Sequence, residues 1–189
     1  MVLYPSFKVG TPASTYFNIE QDWVFEIGLT PNRSDAMSHI GVARDLAAAL
    51  EIIYHKPYPI KKPDLSHFKI DNTLLPIQVE VTDSKACPRY AGITLTNVKV
   101  SDSPDWLKNY LLAVGLRPIN NIVDITNFVL QETGQPLHAF DADKISGKKV
   151  IVKKLTEGAK FVTLDEVERS LQANDLMICN ETEGMCMAG

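Results

Sequence analysis

Residues 115–141 read GLRPINNIVDITNFVLQETGQPLHAFD, and the punctuation of this stretch sets how the chain around it folds. Gly115, Pro118, Gly134 and Pro136 mark turns, because glycine tolerates positive φ and proline pre-sets one backbone angle. The apolar run between them predicts one short helix over Thr126–Glu132, closed by Gly134, with Phe128 and Val129 turned inward. A helix cap and two turns account for only part of the polar content. Thr126, Asn127, Gln135 and His138 crowd into one short run, and loops beside a rigid element are where proteins present binding groups.

Working outward from that stretch, SPDWLKNYLLAVG (103–115) predicts a second helix. Ser103 is its expected cap, Pro104 its first residue, Trp106, Leu107, Tyr110, Leu111 and Val114 its apolar face, and Gly115 its end. Upstream, IQVEVT from Ile77 alternates apolar with polar, and the β-branched RYAGITLTNVKV (89–100) predicts a long strand. Downstream, KKVIVKKL, KFVTL and RSLQANDLMIC predict strands separated by Gly147, Gly158 and an acidic turn at Asp165-Glu166. Helices and strands do not alternate regularly, so the expectation is a strand-rich α+β domain with two short helices rather than a doubly wound sheet.

A smaller helix-containing half-domain precedes it. WVFEIGL (23–29) predicts a strand running into the turn Thr30-Pro31-Asn32. A helix follows, capped by Ser34 or Asp35, with Ala36, Met37, Ile40, Ala43, Ala47 and Leu50 on one face. Gly41 inside that helix implies close approach to another backbone. HKPYPIKKPDLS (55–66), rich in proline and lysine, reads as an extended connector. The expected division is 1–60 as part of a split N-terminal domain, 61–75 as a linker, and 76–189 as the main domain.

With 189 residues, 45% of them hydrophobic and 22% charged, the chain has material for one or two cores. The N-terminus shows neither a basic leader with an apolar core nor a long apolar run, so secretion and a membrane partner are unsupported and a cytoplasmic location is expected. Cys87, Cys179 and Cys186 are odd in number and outside any C-x-x-C spacing, which predicts reduced, buried thiols and no zinc cluster. A net charge of −4 has the wrong sign for a free-standing nucleic-acid binder. No P-loop, Rossmann glycine fingerprint or G-x-S-x-G elbow is present.

Each candidate site residue has a structural explanation beside its functional one. His138 is the one histidine in the stretch and the side chain suited to proton transfer near neutrality, against the alternative of a turn histidine bonded to backbone. Thr126 and Asn127 are suited to capping a helix, where free amides would also favour a developing negative charge. Asp124 and Asp141 are expected to be structural, pairing with Arg117 or capping a short helix, and no metal is assigned to them. Arg33, Arg44, Lys61 and Lys62 are expected on a solvated face rather than on RNA phosphates.

Arg117 to Asp141 resembles RPINNxVDxTNxVxxExGQPxHAFD, a signature of the editing region in beta subunits of bacterial phenylalanyl-tRNA synthetases. Leu29 to Ala49 resembles that family's LTPNRxDxxSxxGxARELAA, the 103–118 run its SPxWLxxxLxxxGxRP, and TLDEVERSLQANDLMI its TLDGxxxxLxxxDLVI. The final Met187-Ala188-Gly189 resembles the start of its glycine-rich loop.

The resemblance implies hydrolysis of mischarged tyrosyl-tRNA(Phe) within the full synthetase, with Thr126, Asn127 and His138 as catalytic residues. Those three, with Ala188 and Gly189, would bind the substrate. The implied partners are tRNA(Phe) and the alpha subunit, in a heterotetramer. The editing region is implied to need no cofactor, whereas the full synthetase uses ATP and Mg. The first segment would belong to a domain split by an inserted tRNA-binding module. Because the glycine-rich segment continues in the family, the chain is expected to be incomplete at its C-terminal edge, with weak or no editing alone. A non-catalytic interaction module of the same subunit is the competing reading, and a stand-alone RNA-binding β-domain is disfavoured by charge.

Overall fold

The computed structural model describes residues 8–16 and 22–188. Its helices are α1 (Ala13–Tyr16), α2 (His39–Tyr54), α3 (Asp105–Ala113) and α4 (Asn121–Thr133). Its strands are β1 (Gln78–Val81), β2 (Lys149–Lys154), β3 (Lys160–Val162), β4 (Glu168–Ser170), β5 (Leu176–Cys179) and β6 (Gly184–Met187). The mixed content is that of an α+β protein. The chain forms two compact units, each assembled from two stretches: 1–63 with 99–139, and 64–98 with 140–189.

The first unit holds the helices. In α2 the Ser38 hydroxyl accepts the Gly41 amide, so the cap is Ser38 and not Ser34 or Asp35, which lie in a preceding 3-10 turn, Ser34–Ala36. Gly41 is required by contact: a Cβ there would stand 2.4 Å from the Asp35 carbonyl oxygen and 2.7 Å from Ala36 Cα. Helix α3 buries Leu107 and Leu111 at 1% and 0% exposure, each contributing about 1.5–3 kcal/mol by leaving water. Gly115, at φ 80°, ends it, with Leu116 N–H returning to Leu111 O at 2.8 Å.

The second unit is a four-stranded sheet in the order β1-β2-β5-β6, with β1 parallel to β2 and the other pairs antiparallel, plus a β3–β4 hairpin. Each face of the sheet carries an apolar cluster centred on β2 and β5, and strand periodicity divides the core between them. Val150, Val152 and Ile178 pack with Ile145 on one side, whereas Met177 and Cys179 pack with Leu171 on the other. The RSLQANDLMIC run forms two strands, β4 and β5, because Gln172–Asp175 makes a turn in which the Gln172 amide bonds Asp175 Oδ2. Cys179 is fully buried, but Cys87 and Cys186 are half-buried, and all three are free thiols.

Two expected strands are absent. Residues 22–30 and 89–100 form no ladder, and most of their apolar side chains stay exposed, including Trp23 at 86% and Ile93 at 69%, although Tyr90 packs half-buried against the sheet core. β-propensity reports fit to a half-buried pleated surface, and among the described residues no strand pairs with either segment.

Candidate functional site

The helix that carries the Thr126-Asn127 pair begins earlier than its apolar pattern indicates. Asn120 Oδ1 accepts the Ile122 and Val123 amides at 3.0 and 3.1 Å, and Gly134 closes the helix with φ 77°. Thr126 and Asn127 are therefore interior residues of α4 and do not cap it. The free amides of the helix N-terminus lie beside Asn120, so they cannot serve at the Thr-Asn pair. Thr126 commits its hydroxyl proton to Val123 O at 2.7 Å, leaving oxygen lone pairs as its remaining capacity. Asn127 is half-buried, and as neighbours on a helix the two side chains point about 100° apart.

His138 lies beyond the helix on an exposed loop. Its neighbour Gln135 is held locally, with its backbone N–H on Thr133 Oγ1 at 3.1 Å and its side-chain amide on Pro136 O at 3.3 Å. Thr126, Asn127 and His138 belong to the first unit. Ala188, in the second unit, is exposed and donates its amide to Leu176 O at 2.7 Å. Gly189 lies outside the described residues.

Asp124 is a buried anchor. Completely inaccessible, it accepts the Ser103 hydroxyl at 2.5 Å and the Ile119 amide at 2.8 Å. Ser103 thus bonds Asp124 instead of capping α3, whose N-cap position is Pro104. Asp141 caps a 3-10 turn, Ala142–Lys144, by accepting the Asp143 amide. Arg33 is paired with Asp35 and Asp45, and Arg44 donates to Asp35 O, so both arginines are engaged by protein groups.

A polar cluster with no signal in the sequence joins α2, α3 and α4. His39 Nδ1 lies 2.5 Å from the Tyr110 hydroxyl and 3.2 Å from Glu132 Oε2. The rings of His39 and Tyr110 meet edge-on at 5.4 Å, and Tyr110 meets Phe128 at 4.8 Å. Burial, reinforced by the nearby Glu132 charge and hydrogen bond, pushes the Tyr110 phenol up to about 12 from 10.0. The unfolded chain therefore ionises first, so stability present below the lower value is lost as pH rises toward the upper one. Because the ring is partly exposed, the loss is expected to be about 1 kcal/mol. In urea titrations across this alkaline range, Tyr110→Phe should flatten the decline; an unchanged slope would remove Tyr110 as its source.

The described pocket is elsewhere in the first unit. It is a shallow apolar groove of about 280 Å³ between Ala43, Leu46, Ala47 and Leu50 of α2 and the segment Tyr58 to Lys61. It contains none of the predicted site residues, and Lys61 is its one charged group. Its surface offers burial for an apolar chain and no acid–base pair. Among the described residues no group of three or more His, Cys, Asp or Glu is placed to hold a metal ion, and no helix is long and apolar enough to cross a membrane.

The sequence pattern of a family described as the B3/4 domain matches residues 86–189. Similar proteins include the phenylalanine-tRNA ligase beta subunit of Bacteroides thetaiotaomicron, 56% identical over 180 residues that make up 95% of this chain and 22% of that protein. The beta subunit of Porphyromonas gingivalis is 52% identical over all of this chain and 23% of its own length, and that of Carboxydothermus hydrogenoformans is 42% identical over the same shares. The chain thus spans under a quarter of the length of these relatives.

Proposed function

We infer, for a chain that belongs to the B3/4 domain family, that it is a stretch of a phenylalanine-tRNA ligase beta subunit that clears mischarged tyrosyl-tRNA(Phe) within the whole synthetase. The observation that carries this reading is the unbroken correspondence of Arg117 to Asp141 with the editing signature, inside a chain 56% identical to such a subunit. In that setting the partners are tRNA(Phe) and an alpha subunit, the setting is the cytoplasm, and ATP and Mg serve aminoacylation by the whole assembly. The division into 1–60, 61–75 and 76–189 belongs to the same reading.

The chemistry has a physical rationale. A pocket built for phenylalanine rejects an added hydroxyl by only about a hundredfold, whereas a site that hydrogen-bonds the phenol discriminates by about ten-thousandfold or more. In the hydrolysis itself, water adds to the ester carbonyl, the bond to the ribose oxygen breaks, and that oxygen takes up a proton. Tyrosine and uncharged tRNA leave. His138, on an exposed loop, takes the role of orienting or deprotonating the water. The Asn127 amide can donate to the developing oxyanion, while Thr126, its proton committed to Val123 O, acts as an acceptor toward a substrate hydroxyl or ammonium group.

In the whole synthetase, His138→Ala is expected to lower tyrosyl-tRNA hydrolysis about a hundredfold or more, the usual contribution of a general base, while phenylalanine charging stays intact. Undiminished hydrolysis would remove the histidine from the mechanism. A second reading, a non-catalytic interaction module, is favoured by the run of exposed apolar side chains at Trp23, Val24, Phe25 and Ile27. Binding of free tyrosine in preference to phenylalanine separates the two, since an interaction module would bind neither.

A further inference from the structure

Three helices distant in sequence meet at one imidazole. His39, in the first turn of α2, presents Nδ1 to the Tyr110 hydroxyl of α3 and to Glu132 Oε2 of α4, and that same hydroxyl lies 3.5 Å from Glu132 Oε2. A hydroxyl can donate or accept, an imidazole nitrogen can do either according to protonation, and a carboxylate can only accept. With the ring neutral and its proton on Nε2, Nδ1 accepts from Tyr110 and has nothing to give Glu132. With the ring protonated, Nδ1–H faces two oxygens, and the Tyr110 hydroxyl must turn its proton toward Glu132.

Among the described residues, the other polar groups in and before the first turns of α2 are committed elsewhere. From the turn before α2, Arg33 and Asp35 are paired with each other, and Arg33 also holds Asp45 of α2. The Ser38 hydroxyl is occupied by the Gly41 amide. The end of α4 also abuts the start of α2, since a Cβ on Gly134 would meet the Ser38 side chain at 3.5 Å. A cation at the start of α2 is disfavoured by that helix's own dipole, but it sits close to the negative end of α4 and to Glu132.

We propose that His39 is a proton-operated clasp: on protonation its Nδ1–H engages Glu132 and the Tyr110 hydroxyl reverses toward the same carboxylate, binding the first turn of α2 to the last turn of α4. The loop carrying Gln135 and His138 leaves from that last turn, so the clasp fixes the base of the loop more firmly in acid. Histidine is the side chain that changes charge between about pH 5 and 8. The clasp requires no assumption about the reaction at His138.

Two measurements on the 189-residue chain test it. Side-chain nitrogen NMR of His39 is expected to show Nε2 protonated and Nδ1 bare at high pH, with both protonated in acid. A double-mutant cycle of His39→Ala with Glu132→Gln, read by urea unfolding, is expected to show negligible coupling at high pH. In acid the coupling should amount to roughly a twofold to fivefold change in the unfolding equilibrium constant, the range for a partly exposed ion pair. A proton on Nδ1 in the neutral ring, or coupling that is the same in both conditions, overturns the proposal. If the substituted chains do not fold, the NMR result on the unsubstituted chain decides alone.

Discussion

Asp124→Ala is expected to destabilise the first unit by roughly 2–4 kcal/mol, because the buried Ser103 hydroxyl is left without its acceptor, at about 1–3 kcal/mol, and the part-buried Ile119 amide loses a hydrogen bond worth about 1 kcal/mol. The carboxyl group is completely inaccessible and receives the Ser103 hydroxyl and the Ile119 amide. These partners stand on either side of α3, so one side chain pins the entry to α3 and the loop into α4. Water cannot replace it without opening that packing. Asp124→Asn should retain most of the stability, since its amide oxygen can still accept from Ile119 while the Ser103 hydroxyl turns to accept from its NH₂. Urea unfolding of the two variants checks this: if alanine cost no more than asparagine, the hydrogen bonds would not be what Asp124 contributes.

Gly41→Ala carries the second largest expectation, a loss of about 1–3 kcal/mol, as for overpacking elsewhere. Alanine is the better helix former by about 1 kcal/mol, so on propensity alone the substitution would stabilise α2. Contact reverses the sign. The added methyl would stand 2.4 Å from the Asp35 carbonyl oxygen and 2.9 Å from the Ala36 carbonyl carbon, and backbone atoms cannot rotate aside as a flexible side chain would. The Ser34–Ala36 turn must move, exposing the buried Ala36. A thermal melt in which Gly41→Ala matched or exceeded the parent would show that the turn yields at little cost.

Where local chemistry was self-sufficient, it was legible in the sequence. The glycine ends of α3 and α4 at Gly115 and Gly134 needed no partner, because positive φ is a property of the residue. Gly41 betrayed its close contact as an otherwise costly residue inside a helix. Strands β1 and β2 carried strong β character and found partners. Residues 23–29 and 89–100 looked equally strand-like, yet a strand exists only through a neighbour, and none is supplied to them among the described residues.

For the candidate site the residues were visible but their surroundings were not. An Asn-Asn pair before an apolar run could have revealed Asn120 as the cap; starting the helix at Thr126 assigned the amide-rich end to the wrong residues. His39, Tyr110 and Glu132 carry no mutual signal, being separated by 71 and 22 positions.

Sequence by itself determined the glycine-closed C-terminal ends of α3 and α4, the α+β class and the order of the editing-like signature, because turns and periodicities depend on residues a few positions apart. Tertiary structure alone decided which polar groups are committed and which remain available. Asp124 is consumed by Ser103 and Ile119, Thr126 by Val123, and His39 is shared between two helices. Hydrogen bonding and burial are relations between groups brought together by packing, and a buried polar atom has its character set by whichever partner replaces water.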